Sequence, residues 1–302
     1  MNLSELARIV FQTQLERMQL NLEGCIEGLD PIHLHDLRVA NRRTRAALID
    51  FQALLPDPVF SKYQEDFRWI HQITGPVRDL DVGLSYFPVY EKELSKSWRK
   101  KLIPARELLE NKRQTAQQEL AANLGSSKVE DILNSWSALL GGSVLEGSQY
   151  ALEPAREFGC RRIIKRYKKI RKNGLEIGKN TPANHFHELR IRVKKLRYLM
   201  EFFRPVFDPD EITKVRSELK NVQDALGAYQ DAEIQVAKLV QLAGDLQGLG
   251  SSVDPILALG QLIGIYEKEI RRCRKRSLKA IHWLTGDPAA REFQSCFKYP
   301  VE

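Results

Sequence analysis

The chain has 302 residues, 43% of them hydrophobic and 28% charged, which is the composition of a soluble globular protein, and no uncharged apolar run is long enough to span a membrane. A formal charge of +8 and a pI near 9.2 point to anionic partners. Cys25, Cys160, Cys273 and Cys296 are widely spaced with no C-x-x-C, a pattern that argues against a zinc site or disulfide framework and suits reduced thiols in the cytosol.

The opening MNLSELARIVFQTQLERM lacks a basic n-region and carries Glu5 and Glu16 inside its apolar pattern. It therefore reads as a helix over 3–28 and not as a signal peptide. Further on, apolar residues recur at three and four and strand signals are missing. The spacing predicts helices over 31–55, over 58–87 with a break at Gly75-Pro76, and over 88–122 and 128–140. In the second half it predicts 155–177, 182–205, 209–247 and 254–284. Asp30-Pro31 and Thr181-Pro182 each place an N-cap residue before a proline at the first helical position. LLGGSVLEGS and GLGSSVDP mark loops.

His35 and His187 head two matching segments, HDLRVANRRTRAALIDF and HELRIRVKKLRYLMEFF, 152 positions apart. At that offset His, Leu, Arg, Arg and Phe are identical, and Arg42/Lys194 and Arg43/Lys195 are conservative. The register continues through Gly75/Gly227 and Asp79/Asp231 and runs backward to His33/His185. The chain thus reads as an internal duplication with its seam near residue 150, giving repeats 1–150 and 151–302. The expected fold is all-α, with two antiparallel four-helix bundles related by a pseudo-twofold axis.

At about 100° per residue, Arg38, Arg42 and Arg45 share a sector with His35, and Leu37, Ala40, Ala47, Leu48 and Phe51 gather on another face. The second copy repeats the stripe with His187, Arg190, Lys194 and Arg197, while Arg43 and Lys195 flank their stripes. A solvated helix face normally mixes signs to form i,i+4 pairs, whereas these stripes carry no acid, and like charges at that spacing repel. Two copies with the same residue types on one face point to a polyanion. RRIIKRYKKIRK (161–172) holds eight basic residues in twelve and aligns Arg162, Lys165, Arg166 and Lys169 on one face. Its counterpart in the first half keeps only Arg17, so the second stripe is expected to weigh more in binding. RRCRKRSLK (271–279) is the other dense run. Arg78, after the Gly-Pro break, is expected to point back toward the motif helix.

The doubled pattern His-x-x-Arg-[Val/Ile]-x-x-[Arg/Lys]-[Arg/Lys]-x-Arg, with RDLDV downstream of the first copy, resembles the CHAD family, the conserved histidine α-helical domain. The resemblance covers nearly the whole chain. It implies one CHAD domain over 1–302, with two four-helix bundles around a basic central cleft, and binding of inorganic polyphosphate. Some members localise to polyphosphate granules, which implies a cytoplasmic or granule-associated protein. The implied ligand-facing set is His35, Arg38, Arg42, Arg43 and Arg45 with His187, Arg190, Lys194, Lys195 and Arg197. Gln230 stands where the first half has Arg78, a departure from the pattern.

Such a ligand is a thread of charge with no base to read, so an array of donors is enough. Arginine forks give bidentate phosphate contacts and lysine a mobile point charge. Stripe residues advance roughly 5 Å per step along the helix. No phosphate loop, nucleophile elbow or H-E-x-x-H occurs. EKELSK (91–96) misses the Glu-x-Glu-x-Lys signature of the triphosphate-tunnel hydrolases to which such domains are often fused. Asp79 with Asp81, and Asp231 with Glu233, diverge by about 200° at i,i+2 and cannot share a cation well. Asp79 and Asp231 are instead expected to orient motif cations. The expectation is therefore a non-catalytic binder with no cofactor and no metal. The rivals are an RNA- or DNA-binding helical protein, for which Tyr198 is the sole stacking candidate near the stripes, and a scaffold for an acidic protein partner.

Overall fold

The computed structural model describes residues 1–298. The last four positions of the second repeat, 299–302, lie outside the described residues. The first half comprises α1 (Leu3–Glu27), α2 (Pro31–Asp50), α3 (Asp57–Ile73), α4 (Gly75–Ser85), α5 (Phe87–Glu93), α6 (Lys96–Arg99), α7 (Ile103–Leu124) and α8 (Ser127–Gly141). The second comprises α9 (Ala155–Leu175), α10 (Ala183–Phe202), α11 (Pro209–Gly248), α12 (Val253–Thr285) and α13 (Asp287–Cys296). Among the described residues there is no strand, only an isolated antiparallel bridge between Asn2 and Pro154. No helix among them is long and apolar enough to cross a membrane.

Element boundaries recur at the offset of the motif. Helix α2 begins and ends 152 positions before α10, and short 3-10 turns follow at Gln52–Leu54 and Arg204–Val206. The halves differ where the sequence does. Pro76 has no amide hydrogen to continue a helix, so α3 closes at Thr74, whose Oγ1 donates back to the Ile70 carbonyl at 2.7 Å. Ala228 stands at the equivalent place, and α11 runs unbroken for 40 residues.

Three expectations need correction. The helix expected over 88–122 is split, because Leu94 turns extended (φ −98, ψ 150) to bury its side chain beside Phe87 and Tyr90, and Pro104 opens α7. Helix α13, opened by Asp287-Pro288, has no counterpart in the expected set. Asp30 caps as expected, its Oδ1 accepting from the Ile32 amide at 2.8 Å. Thr181 does not cap α10. Pro182 holds that position, and Thr181 Oγ1 accepts from the Gly178 amide instead.

The main core runs through both halves. Trp136 of α8 is fully buried against Phe11 at 5.0 Å and Phe67 at 5.6 Å. Phe51 stacks on Phe203 at 5.4 Å, its own equivalent 152 positions on. Contact between equivalent residues is what a two-fold relation between halves produces. Phe203 also fills the space left by Gly159 of α9, where a Cβ would fall 2.5 Å from the ring. A second cluster joins Phe87, Tyr90, Leu94 and Leu102 to Leu239, Leu242 and Leu259, tying α5 and α7 to α11 and α12.

Candidate functional site

Helices α2 and α10 pack against each other, and this brings the two motif stripes together. On α2, Arg38 is held at the α3–α4 break, where its Nη1 donates to the His71 carbonyl at 2.8 Å and to Thr74 Oγ1 at 2.7 Å. Gly75 lies beside that guanidinium, and Gly227 lies beside Arg190 in the same way, at 3.9 and 3.8 Å from a notional Cβ. The two halves therefore place a motif arginine against equivalent glycines, Gly75 at the start of α4 and Gly227 within α11.

Tyr198 is the hub between the stripes. Its hydroxyl accepts from Arg42 Nε at 2.8 Å, and Arg43, Lys194 and Arg197 stand 5.8, 5.9 and 5.9 Å from its ring centre. The ring itself is buried. One turn on, Glu201 is ion-paired to Arg43 and lies 3.3 Å from Arg197 Nε. The expectation of stripes free of acid is corrected here. Arg43, read as ligand-facing, is committed across the helix interface to Glu201, and Arg197 is partly committed to the same carboxylate.

Arg45, Arg78, Arg190 and Lys194 make no hydrogen bond or ion pair among the described residues, yet all are partly buried. Their charges act on one another. Burial first, then Arg42, Arg190 and Arg197, pull Lys194 down to about 8, with Asp231 opposing. Burial, then Arg38, Arg45, Arg42 and Lys194, pull His71 to about 4. His35 is lowered by burial and then by Arg78, and Arg45 by burial and Arg68. Arg78 is thus near enough to the motif helix for its charge to act on His35 and Arg38. The carboxylates expected to orient motif cations act only at a distance: Asp79 favours the charge of Arg38 and Asp231 that of Lys194. What fixes Arg38 is Thr74 and a carbonyl. Asp81, which diverges from Asp79, is buried against Arg113.

His71 and Arg68 of α3 belong to this face and were missed. Neither lies on a motif helix, and each sits one turn or more before the recognisable RDLDV. Their equivalents are Gln223 and Lys220, and Gln230 replaces Arg78. Of these three positions only Arg78 adds a cation that the second half lacks, since Lys220 keeps the charge of Arg68 and His71 is pulled down to about 4.

The basic run of α9 does not add to the central charge. Arg166 grips buried Asp50 of α2 with both terminal nitrogens and donates to the Lys195 carbonyl. Arg162 donates to the Ile49 carbonyl and lies 3.7 Å from Asp50. Burial pushes the Asp50 carboxyl up, and both arginines pull it down. Arg162 and Arg166 are thus counter-ions of a buried acid, and the expected dominance of the second stripe loses its basis. Lys165, Lys169 and Lys195 are exposed along a separate groove between α9 and α10. His187 is exposed near the start of α10. In the other dense run, Arg274 clamps structure, donating to Tyr229 Oη and the Lys179 carbonyl.

The fold is thus an all-helical domain in which α2 and α10 gather partly buried cations from both halves. The CHAD domain family model matches residues 9–240, and the chain belongs to that family. The crystal structure of the CHAD domain from the plant Ricinus communis shares the fold at 24% identity, with a TM-score of 0.76 over 94% of this chain and 91% of that one. PptA from Streptomyces chartreusis does so at 16% identity, with a TM-score of 0.68 over 93% and 99%. No curated protein matches the chain.

Proposed function

We propose that this domain binds inorganic polyphosphate without catalysis, on the face between α2 and α10. The observation that carries this reading is the set Arg45, Arg78, Arg190 and Lys194, partly buried cations drawn from both halves that make no hydrogen bond or ion pair among the described residues. A polyanion supplies the missing counter-charge. His35, Arg38, Arg42 and Arg197 border the set, and His71 and Arg68 extend it. A phosphate thread needs donors in sequence and no base pocket, which is what two facing stripes offer. Membership of the CHAD family supports the choice of polyphosphate. Base stacking on Tyr198 is disfavoured, because that ring is buried and already faced by three cations.

The test is a parallel titration at one salt concentration against long-chain polyphosphate, pyrophosphate and single-stranded RNA of matched charge. Long-chain polyphosphate should bind far more tightly than pyrophosphate, because a short anion meets few donors. By analogy with duplex DNA, ~6–10 phosphate contacts lose roughly 10³–10⁵ in affinity between 50 and 200 mM salt. Equal affinity for the RNA at 150 mM salt would replace this reading with that of a general polyanion binder.

A further inference from the structure

At position 194 the two stripes differ in kind. The first copy has Arg42 there, and the second has a lysine. A guanidinium stays protonated in proteins, whereas an ammonium can shed its proton and become a nucleophile. The two cations also have different surroundings. Arg42 is anchored by Nε to the Tyr198 hydroxyl at 2.8 Å, while Lys194 makes no hydrogen bond or ion pair among the described residues. Its Nζ stands 5.9 Å from the centre of the Tyr198 ring, and the guanidinium carbons of Arg43 and Arg197 stand 5.8 and 5.9 Å from the same centre. Arg190 and Arg197 lie one turn to either side of Lys194 on α10, where side chains share a helix face. Lys62, Lys101, Lys112 and Lys214, by contrast, each pair with a carboxylate.

The charged groups that act on Lys194 are Arg42 of α2, Arg190 and Arg197 of α10, and Asp231 of α11, and it acts in turn on His71 of α3. Burial and the three arginines leave about half of the amine unprotonated near pH 8. For a lysine at its ordinary value the fraction is roughly one in three hundred. The side chain is only half-buried, so a small reagent reaches it from solvent.

An amine set among arginines favours a reaction whose product is an anion. Acylation would leave a neutral amide and the arginines uncompensated. Addition of CO2 leaves a carbamate, a carboxylate-like group that guanidinium forks bind bidentately. The terminal nitrogens of Arg42 and the whole guanidinium of Arg190 make no hydrogen bond among the described residues and are open to such a group. We propose that Lys194 is a carbamylation site, where dissolved CO2 adds to Nζ and the arginines of the central face hold the product. The nitrogen lone pair forms a bond to the CO2 carbon, one C=O π pair moves onto oxygen, and an N–H proton passes to water. The step is reversible and needs no oxidant and no leaving group. It puts an anion where a cation stood, so CO2 and polyphosphate exclude one another. That consequence, unlike the modification itself, rests on the polyphosphate reading above.

The experiment holds the full chain near pH 8 in carbon-13 bicarbonate at fixed ionic strength. One carbamate resonance should appear, and a trialkyloxonium salt should trap it as an ester on the peptide carrying Lys194, read by mass spectrometry. Lys194→Arg should abolish both signals. Arg190→Gln keeps the amine and should lower the yield several-fold. Circular dichroism checks the folding of both variants. In a polyphosphate titration, bicarbonate in place of chloride should weaken binding by about twofold when half of the chains carry the carbamate. Lys194→Arg should show no such dependence. The inference is overturned by no labelled carbon on Lys194, by a signal that persists in Lys194→Arg, or by an unchanged yield in Arg190→Gln. An equal bicarbonate effect on polyphosphate binding in the parent and in Lys194→Arg would make bicarbonate a plain competing anion and overturn the exclusion. Absence of polyphosphate binding in chloride would sink the proposed function alone, because trapping is read without polyphosphate.

Discussion

Arg166 and Lys194 look alike in sequence, each a basic residue on a basic helix face, yet the fold gives them opposite tasks. Arg166 neutralises Asp50, whose side chain is 1% exposed against 23% for the arginine. Removing one member of a buried pair costs about 3–5 kcal/mol, because it strands the other charge. Arg166→Leu should therefore destabilise the chain by that order, and Asp50→Asn by less, since the arginine left behind reaches water. Denaturant melts of both variants would show the ranking. Lys194 has no such partner. Below about pH 8 it is charged in folded and unfolded chains alike, and the folded state bears the whole cost. Between about 8 and its ordinary 10.5 the unfolded chain still holds a proton that the folded chain has shed, so stability should rise with pH in that window. A bound polyanion reverses the shift, so binding at pH 8 should take up protons, measurable by calorimetry in buffers of different ionisation enthalpy. Lys194→Arg should keep affinity and lose the uptake. The stripes themselves were legible in the sequence as a helical wheel. Of the spent cations only Arg197 could be read, from Glu201 four residues on along α10; Asp50 and Glu201 reach Arg166 and Arg43 from a neighbouring helix, and no spacing along one helix encodes that.

At the scale of elements, local chemistry read well where a proline or a cap decided the outcome, as at Asp30-Pro31 and Gly75-Pro76. It failed where burial did. Leu94 leaves the helix to reach the second core cluster, a tertiary reward with no local signal. The Asp287-Pro288 pair that opens α13 carries the same signature as Asp30-Pro31, so that helix was within reach. Gly159 shows how packing overrides propensity. In mid-helix, alanine is favoured over glycine by about 1 kcal/mol. Here the added methyl would strike the buried Phe203 ring, and overpacking typically costs about 1–3 kcal/mol. Gly159→Ala should therefore lower the melting temperature, and Gly159→Ala/Phe203→Leu should recover part of the loss.

For the whole molecule, the interface between halves is held by Phe51 on Phe203 and opposed by the cations beside it. Arg190 and Lys194 contribute repulsion and no hydrogen bond, unlike Arg38 and Arg42, which Thr74 and Tyr198 hold. Arg190→Gln/Lys194→Gln should thus melt higher than the parent without ligand and respond less to polyphosphate. Salt should raise the parent's melting temperature by screening the same repulsion. A ligand binding only the folded state adds roughly 2.7 kcal/mol at a hundredfold excess over Kd. A variant that melts lower and still responds fully would make these residues structural. The matching motif helices α2 and α10 were legible because one offset of 152 aligns charge, glycine and aromatic positions together. The electrostatics of the halves was not, since two arginines of the basic run of α9 turn to Asp50, a contact between helices that the run itself does not encode.

The first turn of α1 is finished by distant chain. Asn2 caps the Glu5 amide, but the amides of Leu3 and Ser4 donate to the carbonyls of Glu153 and Ala151, at 2.9 and 3.1 Å. These acceptors are synthesised some 150 residues later. As the polypeptide leaves the ribosome, the first half has its aromatic core available while the tip of α1 still frays. That tip locks only once the seam has emerged. Pulsed deuterium labelling of stalled nascent chains should find the Leu3 and Ser4 amides unprotected when residues up to 145 are exposed and protected once residue 160 is out. Equal protection at both lengths would mean that α1 closes its first turn unaided.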